Sequence, residues 1–204
     1  MSPDAPKPVE TWLQPPVVVK VGGSLFEWPE LRSELPRYIS TLAGLNVILI
    51  AGGGKTADLI REQDRIHHLG DERSHWLALR ALSLNAHLMG QLLGGIQVVE
   101  GINASRSAWR RGGVTILDLY RFSRGDESRP DHLPHSWDVT SDSLSARVAT
   151  VAEASKLVLL KSAAPPAGDW AAAAKAGYVD SYFPTAVAKA DFAIEAINLR
   201  EWVG

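Results

Sequence analysis

The stretch ILIAGGGKTADLIRE, residues 48–62, places three consecutive glycines between an apolar run and an amphipathic run. The apolar run is short and rich in branched residues, which predicts a buried strand. The residues that follow have the polar, amphipathic pattern of a helix, predicted over 55–69. The segment therefore predicts a strand, a tight glycine turn and a helix, an order that several phosphate-binding loops share.

Two familiar nucleotide-binding loops can be tested against this stretch. Gly54-Lys55-Thr56 matches the end of a P-loop, but a P-loop needs a glycine at position 49, where the chain has Leu49 inside the strand. The run from Gly52 to Ala57 fits the dinucleotide pattern G-x-G-x-x-A. That pattern also needs a second strand carrying an acidic residue about 20 positions on. Here a helix is predicted to begin instead, so a dinucleotide fold is the weaker alternative.

A second glycine turn precedes the first along the chain. The run VVVKVGGSLF, residues 17–26, is an apolar strand that ends at Gly22 and Gly23. Between the two strands, apolar residues recur at helical spacing over 31–42, with Pro36 predicting a kink or break. A strand-helix-strand order implies parallel strands, so both glycine turns should emerge at the same edge of the sheet.

Together the two turns suggest an anion site. Glycine turns expose amide groups and admit a phosphate closely, and ligands of open α/β sheets bind at the carboxyl edge. Lys20 lies near the end of the first strand, from where its ammonium can reach such a phosphate. The simpler alternative is a pair of ordinary tight turns, with Lys20 extending to the surface.

The rest of the chain alternates helices and strands. Asp71 is a candidate N-cap of a long apolar helix, Gly177 is a candidate C′ glycine, and the polar residues 120–136 predict a mobile loop. The remaining predictions are strands at 96–100, 114–120, 156–161 and 192–199, and helices at 71–93, 140–155 and 169–177. We therefore predict an α/β three-layer sandwich with a mostly parallel central sheet, formed by one domain over 16–204 after a flexible tail over 1–15.

Composition narrows the function classes. The 204 residues carry a net charge of −2 and no cysteine, which excludes disulfides, thiolate metal sites and cysteine nucleophiles. There is no long basic run for nucleic acid, no signal-peptide core and no apolar run of the roughly 20 residues that a membrane span needs. We expect a cytoplasmic protein. The six histidines include no H-E-x-x-H pair, so a histidine metal site is not favoured.

The pair VVKVGGSL and ILIAGGGKTAD closely resembles the amino acid kinase superfamily, which includes acetylglutamate, aspartate, uridylate and isopentenyl phosphate kinases. The later segments SWDVTSDS, LLKSA and GYVDSYFP resemble a short branch that contains the aminomethylfuran phosphate kinases of methanofuran biosynthesis. The resemblance implies an amino acid kinase-like fold, with ATP and Mg²⁺ as cofactors. It also implies transfer of the γ-phosphoryl group to a small anionic acceptor, which is expected to carry a phosphate already.

The resemblance also implies roles for particular residues. Lys20, Asp142 and Lys161 are the expected catalytic residues, and Asp142 could also help to hold Mg²⁺. The expected contacts to ATP are Lys20, Gly22, Gly23, Ser24, Lys161 and Ser162. The expected contacts to the acceptor are Gly52, Gly53, Gly54, Lys55, Arg61, Asp138, Thr140, Ser141 and Asp180. For most of the polar residues a structural role, such as helix capping or solvation, remains an alternative.

The sequence departs from the larger kinases after Lys161. Only 43 residues follow it, without a lysine on a glycine-rich loop, so a shortened nucleotide lobe is expected. An isopentenyl phosphate- or uridylate-type kinase is one alternative, and a non-catalytic anion-binding or storage protein is another. The apolar helix predicted over 76–93 also suggests a homo-oligomer, because one monomer would not bury all of its surface.

Overall fold

The computed structural model describes residues 14–110 and 113–204. Within them a six-stranded sheet has the order β3-β4-β2-β1-β5-β6, and every pairing is parallel. The strands are β1 (Val17–Val21), β2 (Val47–Ala51), β3 (Val98–Val99), β4 (Val114–Leu117), β5 (Lys156–Lys161) and β6 (Ala193–Asn198). The prediction of a mostly parallel α/β sheet is confirmed. The tail predicted over 1–15 lies almost entirely outside the described residues.

Helices cover both faces of this sheet. They are α1 (Leu31–Ser40), α2 (Gly54–His67), α3 (Asp71–Leu92), α4 (Ile102–Trp109), α5 (Leu119–Asp126), α6 (Ser141–Ala152), α7 (Trp170–Lys175) and α8 (Phe183–Ala186), with a 3₁₀ helix at Gly23–Glu27. Val17, Val19 and Val21 pack with α1, whereas Val18 packs with α6. Side chains alternate along a strand, so Lys20 faces α6.

The core explains two departures from the predicted helices. Helix α1 continues through Pro36, although proline removes one helical hydrogen bond. Leu31, Leu35 and Tyr38 are buried against the sheet and hold the helix in place. Asp71 is not the N-cap of α3, because Gly70 occupies that position; Asp71 lies in the first turn, where a carboxylate is also favourable.

The segment over 114–136 is more ordered than predicted. The strand ends at Leu117, because the Asp118 carboxylate accepts hydrogen bonds from the amides of Tyr120 and Arg121 and so begins α5. Residues 120–126 of the predicted mobile loop are therefore helical. Its remainder is held by the buried Arg147 of α6, which donates hydrogen bonds to Asp126 and Asp131. The predicted strand over 96–100 is also shorter and covers only β3.

The order of strands places a topological switch beside β1. The chain leaves β1 toward β2 on one side and later returns to β5 on the other side. Ligands of open α/β sheets bind at the carboxyl ends of the strands that flank such a switch. Lys20 and Lys161 lie at those ends.

Candidate active site

The two glycine turns meet at the carboxyl edge of the sheet, as the sequence predicts. A Cβ atom on Gly23 would lie 2.1 Å from the amide nitrogen of Gly54, and one on Gly52 would lie 2.5 Å from the nitrogen of Gly23. Gly54 also has a φ angle of +52°, which disfavours other residues. The main reason for glycine at these positions is therefore that the two backbones touch. The close approach of a ligand is a secondary reason.

The buried centre of this edge is a carboxylate between two lysines. Asp142, in the first turn of α6, has its two oxygens 2.8 Å from the Nζ atoms of Lys20 and Lys161 respectively. Lys20 is 3% exposed and Asp142 is 4% exposed. Lys161 also donates a hydrogen bond to the carbonyl oxygen of Tyr178. The three predicted catalytic residues thus form one cluster.

The charges of this cluster do not balance. Burial acts to raise the pKa of Asp142, but the ammonium groups of Lys20 and Lys161 hold it below its ordinary value. Burial, with repulsion from Lys20, lowers the pKa of Lys161 from 10.5 to about 8, although Asp142 attracts the charged form. Two cations therefore share one anion, and the surplus positive charge favours an anionic ligand.

A remote carboxylate fixes the start of α6 and hence the position of Asp142. Asp180 accepts hydrogen bonds from the amide and hydroxyl groups of both Thr140 and Ser143. These amides are among those that a helix leaves unpaired at its N-terminus. The predicted contact between Asp180 and the acceptor is therefore not favoured. Asp180 and Thr140 instead have a structural role, because they form the cap of α6.

The amides of the glycine turns divide into engaged and available groups. The amide of Gly22 donates to the carbonyl of Leu160, and that of Gly52 donates to the carbonyl of Val21. Contrary to our expectation, neither amide is directed to a ligand. Gly23 begins the 3₁₀ helix and Gly54 begins α2. First-turn amides have no partner within their own helix and can bind an anion.

Two serines lie on the β5 side of this edge. The hydroxyls of Ser24 and Ser162 are 2.8 Å apart. They follow the ends of β1 and β5, next to Lys161. Hydroxyl groups can donate hydrogen bonds to phosphate oxygens. Two of the predicted ATP contacts, Ser24 and Ser162, are therefore together in space, although Ser24 also lines the cavity on the other side of β1.

On the β2 side of the same edge lies a cavity of about 210 Å³. Lys20, Gly53, Gly54 and Ser141 line its inner end. Its remaining walls combine apolar residues with polar ones, for example Leu82 and Trp137 with Asp58 and Ser136. The cavity therefore joins a cationic inner end to a body of mixed polarity, which suits a small phosphorylated molecule.

Three polar residues predicted to bind the acceptor differ in position. Arg61 lines the cavity, where its guanidinium lies 4.6 Å from the Trp137 ring centre and pairs with Asp58. Lys55 is exposed and pairs with Glu27. Asp138 accepts a hydrogen bond from the hydroxyl of Ser181 and so joins the segment that carries Asp180. Of the three, Arg61 is the best placed to meet a ligand.

The sequence prediction missed Asn85 and Trp137. Asn85, buried on α3, donates hydrogen bonds to the carbonyl oxygens of Gly52 and Gly53 and accepts one from Thr56. A polar residue among apolar positions of a long helix was the available signal. Trp137 directly follows the polar segment that was predicted to be mobile, and its indole donates a hydrogen bond to Asp64.

Comparison with known proteins identifies relatives of this chain. The family model described as the amino acid kinase family matches residues 15–164. A (5-(aminomethyl)furan-3-yl)methyl phosphate kinase from Methanocaldococcus jannaschii is 24% identical over 143 residues. That alignment covers 70% of this chain and 63% of the relative, so this chain matches somewhat less than two thirds of that protein.

Solved structures agree on the fold. A uridylate kinase from Archaeoglobus fulgidus superposes with a TM-score of 0.63 at 16% identity, over 90% of each chain. A UMP kinase from Ureaplasma parvum gives 0.65 at 14% identity, over 92% of this chain and 91% of the other. With the family model matching most of its length, the chain belongs to the amino acid kinase family.

Proposed function

We propose that the protein is a small-molecule kinase that transfers the γ-phosphoryl group of ATP to a small, already phosphorylated acceptor. The observation that carries this proposal is the buried pair of ammonium groups that share the single carboxylate of Asp142. Phosphoryl transfer needs positioning and charge neutralisation more than covalent help from the protein. A buried surplus of positive charge at the inner end of a cavity supplies both.

In this proposal ATP and the acceptor bind on opposite sides of β1. On the β5 side, Ser24, Lys161 and Ser162 would hold the phosphates of ATP. On the β2 side, the first-turn amides at Gly54 and the cavity wall near Arg61 would hold the acceptor. Lys20 lies between these sides and would contact the group in transit. Residues 16–204 would then act as one domain, with the segment after Lys161 as a shortened nucleotide side.

The reaction needs no general base. An oxygen of the acceptor phosphate, which is ionised at neutral pH, would form the new bond to the γ-phosphorus of ATP. The bond from that phosphorus to the bridging oxygen would break, and ADP would leave with the electron pair. Lys20 and Lys161 would neutralise the negative charge that moves between the two oxygens. No proton has to be removed from the acceptor.

Asp142 is poorly placed to bind Mg²⁺ directly, because each of its oxygens already contacts a lysine. A metal bond would have to displace one of these ammonium groups. We therefore propose that Asp142 positions the lysines, and that Mg²⁺ enters with ATP, held by phosphate oxygens and water. Mg²⁺ would supply further charge neutralisation.

The cavity favours an acceptor with a compact, apolar or aromatic body over a nucleotide. Its walls include Ala57, Leu82 and Trp137, and its volume of about 210 Å³ is small. The archaeal relative is named for an aminomethylfuran phosphate, which combines such a body with an amine. In this chain Asp58 lines the cavity and could contact an amine, whereas Asp180 caps α6.

A panel of acceptors tests the proposal. The full chain, ATP and Mg²⁺ are incubated with aminomethylfuran phosphate, isopentenyl phosphate, UMP and inorganic phosphate. We expect ADP release and a new diphosphate signal in ³¹P NMR with the furan compound above all others. If a non-hydrolysable ATP analogue binds but ATP is not turned over with any acceptor, the non-catalytic alternative is favoured. Turnover of UMP alone would contradict the preference for a compact acceptor over a nucleotide.

A homo-oligomer remains a proposal. Leu77, Leu84 and Leu88 of α3 are exposed, and their spacing places them along one side of that helix. An apolar stripe of this kind is often covered by another subunit. Size-exclusion chromatography with light scattering would show the association, and Leu84→Glu should reduce it. None of the described helices is long and apolar enough to cross a membrane.

A further inference from the structure

A second cluster of ionisable groups lies around a small neighbouring pocket, which shares His75 with the cavity and does not include the lysines. It joins α3, the end of α5 and the segment that follows α5. The Nε2 atom of His135 is 2.9 Å from Glu127 Oε1, and the Nδ1 atom of His132 is 4.0 Å from the same oxygen. One ligand atom from each of the three residues can be chosen so that all lie within 4.8 Å of one another.

These separations are close to those of a zinc site. Zinc lies about 2.0–2.2 Å from imidazole nitrogen and carboxylate oxygen, and tetrahedral geometry then separates the ligand atoms by roughly 3.3 Å. The observed separations of 2.9 Å and 4.0 Å lie on either side of that value. The Nδ1 atom of His132 now lies 3.1 Å from the carbonyl oxygen of Leu133, so a rotation of this side chain would be needed to turn it toward the metal.

The surroundings orient His135 as metal sites orient their histidines. Its Nδ1 atom contacts a carboxylate oxygen of Glu72, and Glu72 also accepts a hydrogen bond from the indole of Trp76. The ring of His75 stacks on that of His135 with centres 4.4 Å apart. A carboxylate on one ring nitrogen fixes the tautomer and leaves the other nitrogen free to bind a metal. Nε2, the nitrogen that faces Glu127, is therefore the predicted ligand atom.

We propose that Glu127, His132 and His135 bind one divalent transition-metal ion of the Zn²⁺ class, with water completing the coordination and Glu72 orienting His135. Imidazole and carboxylate ligands suit this class of ion. Without metal, His135 lies between the carboxylates of Glu72 and Glu127, one at each ring nitrogen.

The position of this site suggests a structural role. His135 is followed directly by Ser136 and Trp137, which line the cavity. A bound ion would tie this wall to α5 through Glu127 and, by way of Glu72, to α3. The ion would order the cavity wall formed by Ser136 and Trp137 without touching the lysine cluster. The proposal does not depend on the kinase activity and can be tested in its absence.

Metal titration of the full chain provides the test. Protein stripped with chelator is titrated with Zn²⁺ against a fluorescent chelator, and separately with Co²⁺, whose visible spectrum reports low-coordinate nitrogen and oxygen ligation. We expect one ion per chain and a higher melting temperature with metal. His132→Ala and Glu127→Gln should weaken binding by more than tenfold, and Glu72→Gln by about tenfold. His87→Ala, exposed on α3 away from the cluster, should change nothing.

Two outcomes would overturn the proposal. One is the lack of stoichiometric binding at 1:1 metal in the folded wild type. The other is equal affinity in the wild type and in a folded His132→Ala, Glu127→Gln double variant. Circular dichroism of each variant without metal shows whether it is folded. If His135→Ala unfolds, His132→Ala still decides the question, since the His132 side chain is 40% exposed and is not part of the core.

Discussion

Two pairs of cations at the same edge of the sheet have opposite surroundings. Lys20 is buried, Lys161 has a side chain that is 12% exposed, and the two share Asp142, with no second carboxylate in contact with either Nζ among the described ion pairs. Lys55 and Arg61 lie across the glycine turns, where each has a carboxylate of its own, Glu27 and Asp58 respectively. Both of these pairs are substantially open to solvent.

The difference shows that charge near a glycine turn is not enough to make a catalytic centre. An exposed ion pair contributes little, because water screens it and both side chains remain free to move. A buried cation cannot exchange its partner for water and therefore acts strongly on any anion that enters. We expect mutations of the two pairs to differ accordingly.

The largest effect is expected from Asp142→Asn. The change leaves Lys20 and Lys161 buried without a counter-charge, which should lower the free energy of unfolding by about 3–5 kcal/mol at neutral pH. Urea unfolding followed by circular dichroism measures it. The matched control is Glu27→Gln, which opens the exposed pair with Lys55 and should cost less than about 1 kcal/mol. Equal losses in the two variants would contradict the comparison.

Lys20→Met should preserve folding but abolish most turnover. Methionine retains the packing of the side chain while removing the charge between the two substrate sides, so kcat should fall by about 10²–10³-fold. Steady-state assays with ATP and the best acceptor measure this. Lys55→Met is the control and should leave kcat within about twofold. A Lys20→Met enzyme with normal kcat would remove Lys20 from the mechanism.

The pH profile should reveal Lys161. Its ammonium is charged below its pKa of about 8 and is neutralised as the pH rises through that value. If the charged form is required, kcat/KM should fall above pH 8, by about tenfold for each further pH unit. Lys161→Arg should move this decline to higher pH, because arginine stays charged. A decline that remains near pH 8 in this variant would assign it to another group.

Asn85→Ala should have the smallest of these effects. It leaves the carbonyl groups of Gly52 and Gly53 without their side-chain donor, and we expect a loss of about 1–3 kcal/mol in unfolding free energy. The acceptor KM should rise more than the ATP KM, since these glycines lie on the acceptor side. Gln91→Ala, exposed on the same helix, is the control. A greater rise in the ATP KM would show that we have assigned the acceptor to the wrong side of β1.

Much of the fold follows from local patterns. Short-range patterns in the sequence predict the apolar runs that form β1, β2 and β5, the helices between them and the two glycine turns. The parallel pairing then follows from the strand-helix-strand order, and the convergence of the turns follows from the parallel pairing. The errors lie where one side chain decides the backbone, as at Asp118, which ends β4 and begins α5.

The sequence alone determined that two glycine turns and a lysine-bearing strand meet at one edge, since side-chain period and strand order carry that information. The family resemblance already implied Asp142 beside the lysines, and the tertiary structure showed one contact from each of its oxygens. Only the tertiary structure decided that Asp180 caps α6 and that Asn85 holds the turns. It also gathered His132 and His135 beside Glu127. The contacts of Asp142, Asp180 and Asn85 depend on the packing of elements far apart along the chain, which no local spacing encodes.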